Sequence, residues 1–565
     1  MVERESGEPR NEKREVPYAV LRLTALGAAL LLLVGSLWSM ARVARYPRQL
    51  NLAEPELAAL PASDVARIRS GGPRLARRVV VCIADGLRLT EAKNLAFLGE
   101  LESRGASYQA DAGFPTFTRA GLHVIATGVD QGASGVRLNN PGVESRFDNV
   151  FARARAAGLR SAALGNGVGW LGQMFAHDID LAVFGPGFER ALEEALDGQY
   201  QLVVVHLVNA DKAGHAHGAA SPAYKAAARV VDARIGKIVS RLDLAQDAVV
   251  VVADHGHVPQ GGHGGVEEDA RLVPLVAAGA GIRRGARGSA RLVDVAPTVA
   301  TLLGLAVPAQ IRGWPLFDAL ELTEEERLKI WQSVFWTRAR AERFLGGLWR
   351  ARRTLDLRRD EALSLLAAGD HETALRIGEA TVREETERAV RYSKERRAAT
   401  VKDRLWRAGL ILVGAVLLMV VLARLGLIET GWRVLFGAIG PVLALAGARL
   451  FLGPFSFSIV RTKWLFVGHF GLVLALAALV HFTLASLATG SESHRRVRRA
   501  TGLALASGVF AMLPALVCFV VVGSGPVHDL PPPMWTFLPF VCYPAAALML
   551  ASATLFVVVE ARSRG

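Results

Sequence analysis

The stretch AVVVVADHGHVPQGGHGG, Ala248–Gly265, decides both the fold and the chemistry that we expect of this 565-residue chain. Its first part is a short apolar run without polar alternation, which is typical of a strand buried on both faces of a parallel sheet. Asp254 follows directly, and His255, His257 and His263 stand in a glycine-rich loop beyond it. Imidazoles and glycines so closely spaced favour a loop that binds something over a loop that only packs.

Two other apolar runs end in the same way. RVVVCIAD ends at Asp85, and QLVVVHLVNAD ends at Asp211. From Arg78 to about residue 320, Val-rich runs alternate with helical stretches, which predicts an α/β domain with a mainly parallel central sheet. Because ligands bind outside the carboxyl ends of such strands, the three aspartates should converge at one edge. A single aspartate there is often only a helix N-cap, but three together weaken that alternative.

Crowded carboxylates repel each other, and a bound cation removes the repulsion. Imidazole combined with carboxylate suits zinc or a similar transition metal better than calcium or magnesium. In DKAGH, Asp211 and His215 stand one helical turn apart, so both can face one ion. Three aspartates and three histidines are enough for two metals but not for two complete tetrahedral sites, which predicts a seventh group. The six candidates are Asp85, Asp211, His215, Asp254, His255 and His263.

The seventh group is sought in GFPTFTRAGLHVIATG, residues 113–128, where a Pro-containing turn leads into an apolar helical run. A threonine hydroxyl at a helix start beside a metal can lose its proton and attack, and the helix N-terminus favours an anionic substrate. Thr116 and Thr118 are both candidates, and Arg119 follows them. Taken alone, each threonine is equally well explained as a helix cap.

The segments IADGLR, PTFTRAG, HLVNADKAGHAHG and ADHGHVPQGGHGG together resemble the alkaline phosphatase superfamily. Within it they are most similar to the type I phosphodiesterase/nucleotide pyrophosphatase branch and to glycosylphosphatidylinositol ethanolamine phosphate transferases. LVPLVAAGAGI and DVAPTVATLLGL support the resemblance, which covers about residues 78–317. It implies two divalent metal ions, zinc with manganese as the alternative.

The resemblance also implies a role for each matching residue. Thr118 is the nucleophile that forms a phosphothreonine intermediate, with Thr116 as the weaker choice. One metal is held by Asp85, Thr118, Asp254 and His255, and the other by Asp211, His215 and His263. The family commonly has Pro and then His after the nucleophile, whereas this chain has Ala120 and Leu122, with His123 one place later. The remaining candidates for substrate contact or for support behind the metals are Arg119, His123, His206, His217 and His257, of which we expect His257 at the rim.

The chain is 51% hydrophobic, and LTALGAALLLLVGSLWSM, Leu23–Met40, carries no charge and is long enough to span a bilayer. Further apolar segments lie near 408–428, 434–452, 464–488, 501–523 and 536–558, giving six expected transmembrane helices. The expected parts are a cytoplasmic tail (1–18), a transmembrane anchor (19–41), a linker (42–77), the alkaline-phosphatase-like catalytic domain (78–321), a helical connector (322–407) and a membrane domain with five transmembrane helices (408–565).

The loop charges predict the orientation of these helices. SESHRRVRRA carries four arginines and should be cytoplasmic, whereas GPVHDLPPPM has none and should be outside. Both termini are then cytoplasmic and the catalytic domain is extracytoplasmic. Three cysteines and no N-glycosylation sequon favour a bacterial inner membrane, with the domain facing the periplasm. The net charge of +14 comes from arginines around the apolar segments, and the absence of a basic stripe with aromatics argues against nucleic acid.

These features predict a membrane-bound, metal-dependent phosphotransferase that acts on phosphodiesters, with phosphoethanolamine-type transfer from a phospholipid to a glycan or lipid acceptor as the specific reaction. A membrane-anchored phosphodiesterase, pyrophosphatase or phosphatase is the alternative, because water can replace the acceptor. A catalytically dead membrane scaffold is disfavoured by the intact ligand set. A sulfatase would need a C/S-x-P-x-R motif, which is missing, and a cofactor-independent phosphoglycerate mutase would not need membrane spans.

Overall fold

The computed structural model describes residues 71–345, apart from 140–143, 198 and 266, together with scattered positions at 20 and 23 and between 361 and 426. Its strands form one sheet in the order β4-β3-β5-β1-β6-β7-β2-β8. The strands are β1 (Arg78–Ala84), β2 (Ala106–Asp111), β3 (Ser161–Gly165), β4 (Leu181–Phe184), β5 (Leu202–Leu207), β6 (Asp247–Val252), β7 (Leu272–Gly279) and β8 (Arg287–Arg291).

Helices connect the strands and cover the faces of the sheet, as expected for an α/β domain. A short 3-10 turn, Leu292–Asp294, precedes the last helix of the sheet region. The helices are α1 (Leu89–Ala92), α2 (Ala96–Arg104), α3 (Thr118–Thr127), α4 (Gln131–Ser134), α5 (Val150–Ala156), α6 (Trp170–Phe175), α7 (Phe188–Asp197), α8 (Asn209–His217), α9 (Pro222–Val239), α10 (Glu268–Arg271), α11 (Val295–Leu302) and α12 (Glu324–Leu345).

The centre of the sheet is its most apolar part. Every residue of β5 and β6 is buried, and so is every residue of β1 after its first. Strands covered on both faces need apolar side chains at successive positions, which explains the unbroken valine runs. The three strands are adjacent, in the order β5-β1-β6, and their pairing is parallel and nearly level: Ala84 pairs with Leu207, and Ile83 with Val252. Their carboxyl ends therefore lie side by side, about 4.8 Å apart from strand to strand.

The mainly parallel sheet that the sequence predicts is confirmed, with one reversed strand. β7 runs antiparallel to both of its neighbours, β6 and β2, and all other adjacent strands are parallel. The reversal follows from the connection between β6 and β7, which consists of the histidine loop and the short helix α10. A parallel β7 would need a long crossover helix to bring the chain back to the edge of the sheet where β6 begins.

Beyond the sheet, α12 lies within the segment predicted as a helical connector. Its aromatic residues pack on the domain, since the Trp331 ring stacks between Trp314 at 5.8 Å and Phe335 at 5.2 Å. Within the described residues, no helix combines the length and the apolar character that a membrane crossing needs. Of the six predicted spans, the first and the segment near 408–428 are described only at scattered positions, and the other four lie outside the described residues.

Candidate metal centre

The carboxyl edge of the central strands gathers two groups of metal-binding side chains. In each group, one ligand atom from every residue lies within 4.8 Å of the others. Thus the structure brings together all six aspartates and histidines that the sequence singled out. The inner group is Asp85, Asp254 and His255, and the outer group is Asp211, His215, His257 and His263.

The inner group is closed to solvent, and two of its carboxylate oxygens lack hydrogen-bond partners among the described residues. Asp254 Oδ1 accepts from the backbone N–H groups of Gly86, at 3.3 Å, and His255, at 3.1 Å. Asp85 Oδ2 lies 2.9 Å from Nε2 of the buried His206. Asp85 Oδ1 and Asp254 Oδ2 are left buried without a partner, and they face His255 Nε2 at 3.3 and 3.5 Å.

Such orphaned oxygens are costly without a counter-charge. Burial raises the pKa of Asp85 well above its ordinary value, and the nearby charges of Asp254 and Asp211 raise it further. A divalent cation between the carboxylates would satisfy both free oxygens and cancel the repulsion. The residues present therefore fit a metal ion, and its binding here stays a prediction.

Backbone contacts determine which ring nitrogen carries a proton in two histidines, His255 and His263. The Nδ1–H of His255 donates to the carbonyl of Gly256 at 3.1 Å, and that of His263 donates to the carbonyl of Thr116 at 2.7 Å. A neutral imidazole with its proton on Nδ1 carries its lone pair on Nε2. In both residues Nε2 points into the groups, which is the arrangement that metal-binding histidines adopt.

The outer group is more open. Asp211 Oδ1 lies 3.4 Å from the Nε2 atoms of both His215 and His263, and those two nitrogens are 2.9 Å apart. The one-turn spacing of Asp211 and His215 is realised on helix α8. A tetrahedral zinc site with bonds of about 2.0 Å has ligand atoms roughly 3.3 Å apart, close to these distances. Unlike its partners, the His215 side chain is 44% exposed.

His257 does not lie where the sequence suggested. We expected it at the rim, touching substrate or nothing, but it is fully buried, and its Nε2 lies 2.9 Å from Asp211 Oδ1. The loop turns back on itself at Gly261 and Gly262, whose φ values of +89° and +98° suit glycine. That turn brings the backbone N–H of Gly262 to 2.9 Å from His257 Nδ1 and holds the ring inside. Spacing along the sequence does not reveal such a return.

The structure separates the two candidate nucleophiles. Thr118 is the first residue of α3, and its Oγ1 lies 3.1 Å from His255 Nε2 in the inner group; α3 has no side-chain N-cap. The Thr116 hydroxyl instead donates to the carbonyl of Gly265 and accepts from the N–H of Gly264. Thr116 therefore fastens the histidine loop, and Thr118 alone presents its hydroxyl to the inner group.

One residue near the nucleophile was missed. Asn139 is exposed, and its Oδ1 accepts from the backbone N–H of Arg119 at 2.8 Å, next to Thr118. This contact fixes the amide group of Asn139 at the N-terminus of α3. No motif signals it, because the contact joins the helix to a loop twenty residues later.

The other predicted candidates lie at varied depths. Arg119 is buried at the start of α3. His123, one turn further along, packs between Phe147 and Phe175 and contacts Ser145 Oγ at 2.9 Å, so it belongs to the interior. His206 supports Asp85 from behind, and His217 is exposed at the end of α8.

Residues 186–307 match the model of the metalloenzyme superfamily. The 2,3-bisphosphoglycerate-independent phosphoglycerate mutase of Paracoccus denitrificans is 34% identical over 149 residues, which are 25% of this chain and 28% of the mutase. The catalytic subunit of human GPI ethanolamine phosphate transferase 2 is 27% identical over 283 residues, which are 44% of this chain and 28% of the transferase. The chain thus spans little more than a quarter of the length of these curated relatives.

Among solved structures, murine ectonucleotide pyrophosphatase/phosphodiesterase 5 is similar at 16% identity and a TM-score of 0.35, covering 41% of this chain and 96% of its own. The superfamily match includes α8 and the histidine loop after β6, which carry five of the six predicted aspartate and histidine ligands. The superfamily resemblance predicted from the sequence is confirmed for residues 186–307, which match the metalloenzyme superfamily.

Proposed function

We propose that this protein is a metal-dependent phosphotransferase that acts on phosphodiesters and uses Thr118 as its nucleophile. The observation that carries the proposal is the position of Thr118 Oγ1, 3.1 Å from His255 Nε2 and beside two orphaned carboxylate oxygens. The Thr118 hydroxyl does not serve as a helix cap, because Phe117 is the N-cap residue of α3 and no side-chain cap hydrogen bond is formed there. The position of Thr118 at the N-terminus of α3 also favours an anionic substrate.

Two divalent ions fit the donor set, with zinc preferred and manganese as the alternative. Asp85, Thr118, Asp254 and His255 would hold one ion. Asp211, His215 and His263 would hold the other. When bound, such a pair supplies stabilisation of charge on the attacking and leaving oxygens of an in-line displacement.

The chain's own residues then carry a two-step transfer. Thr118 Oγ1, having lost its proton, attacks phosphorus, and the bond from phosphorus to the donor's alcohol oxygen breaks as that oxygen takes up a proton. The phosphoryl group, with its remaining substituent, is now on Thr118. A second alcohol loses its proton and attacks the same phosphorus, which restores Thr118. We propose that the NH2 of Asn139, whose Oδ1 accepts from the backbone N–H of Arg119 beside Thr118, donates a hydrogen bond to a phosphoryl oxygen.

We infer phosphoethanolamine-type transfer from a phospholipid to a glycan or lipid acceptor. Two observations support this substrate class: the identity with the ethanolamine phosphate transferase, which extends over 44% of this chain, and the apolar segments that predict an integral membrane protein. In this proposal the protein is embedded in the membrane by six helices and the domain is extracytoplasmic. The identity with phosphoglycerate mutases extends over only 25% of the chain and is compatible with any superfamily member that has this metal set.

The test uses full-length protein in detergent micelles with two substrates. Phosphatidylethanolamine with a labelled sugar or lipid acceptor should give diacylglycerol and labelled product, whereas bis-p-nitrophenyl phosphate should give nitrophenol only slowly. Thr118→Ala should abolish both reactions, and Thr118→Ser should retain part of the activity. Nitrophenol release without labelling of the acceptor would contradict transfer and would indicate a hydrolase instead. Unchanged turnover in Thr118→Ala would refute the nucleophile.

A further inference from the structure

His257 lies within reach of the outer group, yet its hydrogen bonds set it apart from the ligands. We propose that His257 is a positioning residue, which donates a hydrogen bond to Asp211 and binds no ion itself. This inference rests on the proposed function, because it concerns the metal set that the function needs. It adds a residue that the predicted ligand set omitted, and it determines how many protein ligands the second ion has.

The protonation of His257 follows from its two contacts. The backbone N–H of Gly262 donates to His257 Nδ1 at 2.9 Å, and a backbone N–H is always a donor. His257 Nδ1 therefore carries the lone pair, and in the neutral ring the proton stands on Nε2. Its Nε2–H donates to Asp211 Oδ1 at 2.9 Å and has no lone pair for a metal.

His255 and His263 show the opposite arrangement. In both, Nδ1–H donates to a backbone carbonyl and Nε2 keeps its lone pair. Thus the three histidines of this loop differ in tautomer. Nε2 carries a lone pair in His255 and His263, and it carries a proton in His257. The division is built by backbone atoms, namely two carbonyls and one N–H, which do not change their character with conditions.

The His257 ring is closely packed, and its hydrogen bonds to Gly262 and Asp211 favour one orientation. A Cβ on Gly214 would lie 2.8–2.9 Å from three ring atoms of His257, so the helix α8 gives the ring its space only because residue 214 is glycine. The Tyr224 ring stands edge-on at 6.1 Å, and its hydroxyl is held by the carbonyl of Gly86. Turning the ring would also break the contact with Gly262.

Asp85 in the inner group has the same kind of support. His206 Nε2 lies 2.9 Å from Asp85 Oδ2, and the other oxygen, Oδ1, is the orphaned one that faces the metal position. One buried histidine therefore contacts one carboxylate in each group. His206 contacts the Asp85 oxygen opposite the orphaned one, whereas His257 contacts Asp211 Oδ1, the oxygen that also faces His215 and His263. Such a partner restricts the rotation of the carboxylate and strengthens metal binding without adding a ligand.

The consequence for the outer ion concerns its coordination. With His257 as a donor to Asp211, the protein offers three ligands: Asp211, His215 and His263. A three-ligand site leaves a position for substrate, whereas four protein ligands would close it as in structural zinc sites. The exposed side of His215 marks where that open position meets solvent.

The test compares His257→Ala with His257→Gln in the full-length protein. The Gln amide NH2 can replace the Nε2–H donor but is a poor transition-metal ligand. We expect His257→Ala to lower the affinity of one of two Co²⁺ sites by about 10–100-fold, and His257→Gln to recover most of it. The visible absorption of bound Co²⁺, which reports coordination, should be the same in His257→Gln and wild type. His177→Ala removes an 85% exposed histidine and serves as the matched control with unchanged binding.

Equal loss of affinity in both variants, together with an altered Co²⁺ spectrum, would make His257 a ligand and overturn the proposal. Unchanged affinity in His257→Ala would overturn it as well. Circular dichroism of each variant checks that the fold is intact. Metal titration needs no turnover, so its result is independent of the Thr118 experiment: active Thr118→Ala enzyme would refute the proposed chemistry and leave the role of His257 standing.

Discussion

The two groups at the carboxyl edge of the sheet contain similar side chains in different surroundings. In the inner group, Asp85 and His255 have side chains that are 3% and 0% exposed. In the outer group, Asp211 is 15% exposed and His215 is 44% exposed. The sheet itself makes this difference. Asp85 and Asp254 lie within two residues of the ends of central strands, whereas His215 lies one turn beyond Asp211 on a helix that leaves the sheet.

The difference suggests a division of labour between the groups. A cation in the inner group neutralises carboxylates that have no access to water, so its loss would be costly. A cation in the outer group can exchange ligands with solvent on the side of His215. We therefore expect the inner ion to activate Thr118 and to be retained, and the outer ion to receive substrate and to exchange more readily.

The strongest test of this comparison is Asp254→Asn. It removes one charge from the inner group, and we expect metal content to fall from two ions to one and turnover to fall by at least about 10³-fold, because several kcal/mol of charge stabilisation are lost. Elemental analysis and bis-p-nitrophenyl phosphate hydrolysis measure the two effects. Asp197→Asn, at a side chain that is 65% exposed, is the control that should change neither. A fully active Asp254→Asn enzyme would remove the inner group from the mechanism.

His215→Ala should act more weakly. Loss of one ligand from a site that already meets solvent should lower the affinity for the outer ion by about 100-fold or more, the upper end of the loss expected for a residue that only supports a ligand, and water can take the vacated position. Excess zinc should then restore much of the activity, which it should not do for Asp254→Asn. Activity measured against free zinc concentration gives both responses. Equal rescue of the two variants would show that the groups do not differ as proposed.

Much of this site follows from the sequence because parallel strands impose it. Apolar runs ending at Asp85, Asp211 and Asp254 had to bring those carboxylates to one edge, and the DKAGH spacing had to place His215 beside Asp211. These relations depend only on local geometry and on a rule of topology. Cys82, within the first run, is buried in β1 as its surroundings predict.

What the sequence does not reveal depends on the path of a loop. His257 is two residues from His255, yet the two rings carry their protons on different nitrogens. Nδ1 of His255 donates to a backbone carbonyl, whereas Nδ1 of His257 accepts from the N–H of Gly262. Asn139 reaches Arg119 across a loop without a recognisable motif. The reversal of β7 is equally invisible, since Leu272–Gly279 has the same buried apolar pattern in either direction.

A stability measurement sharpens the comparison in the metal-depleted protein. Asp85→Asn removes a buried charge that faces Asp254 and Asp211. In chelator-treated protein the substitution should stabilise the fold by about 1–3 kcal/mol, because an uncompensated buried charge is removed. With metal restored, it should be destabilising, since a ligand is lost. Urea unfolding followed by circular dichroism measures both cases, and the same sign in each would contradict a cation site between these carboxylates.

The smallest effect concerns a histidine that is buried but stands outside both groups. Burial lowers the pKa of His123 to about 3, and the charge of Arg119 adds to the shift. The unfolded chain, with a histidine pKa near 6.5, binds this proton before the folded protein does. The neutral ring therefore contributes stability above pH 6.5, and this contribution is lost as the pH falls from 6.5 towards 3. Between pH 7 and pH 5.5 the loss should be about 1.3 kcal/mol.

His123→Gln isolates this contribution, because Gln can keep a hydrogen bond to Ser145 Oγ and does not titrate. Wild type should lose more stability than the variant over that pH interval, by the stated amount, in urea unfolding at matched ionic strength. The experiment distinguishes the effect of burial alone from that of burial beside a metal. The pH dependence of stability that comes from His123 should be the same with and without chelator, whereas the effect of Asp85→Asn on stability should change. A pH response of His123 that changes on chelation would connect it to the metal groups, against its position between Phe147 and Phe175.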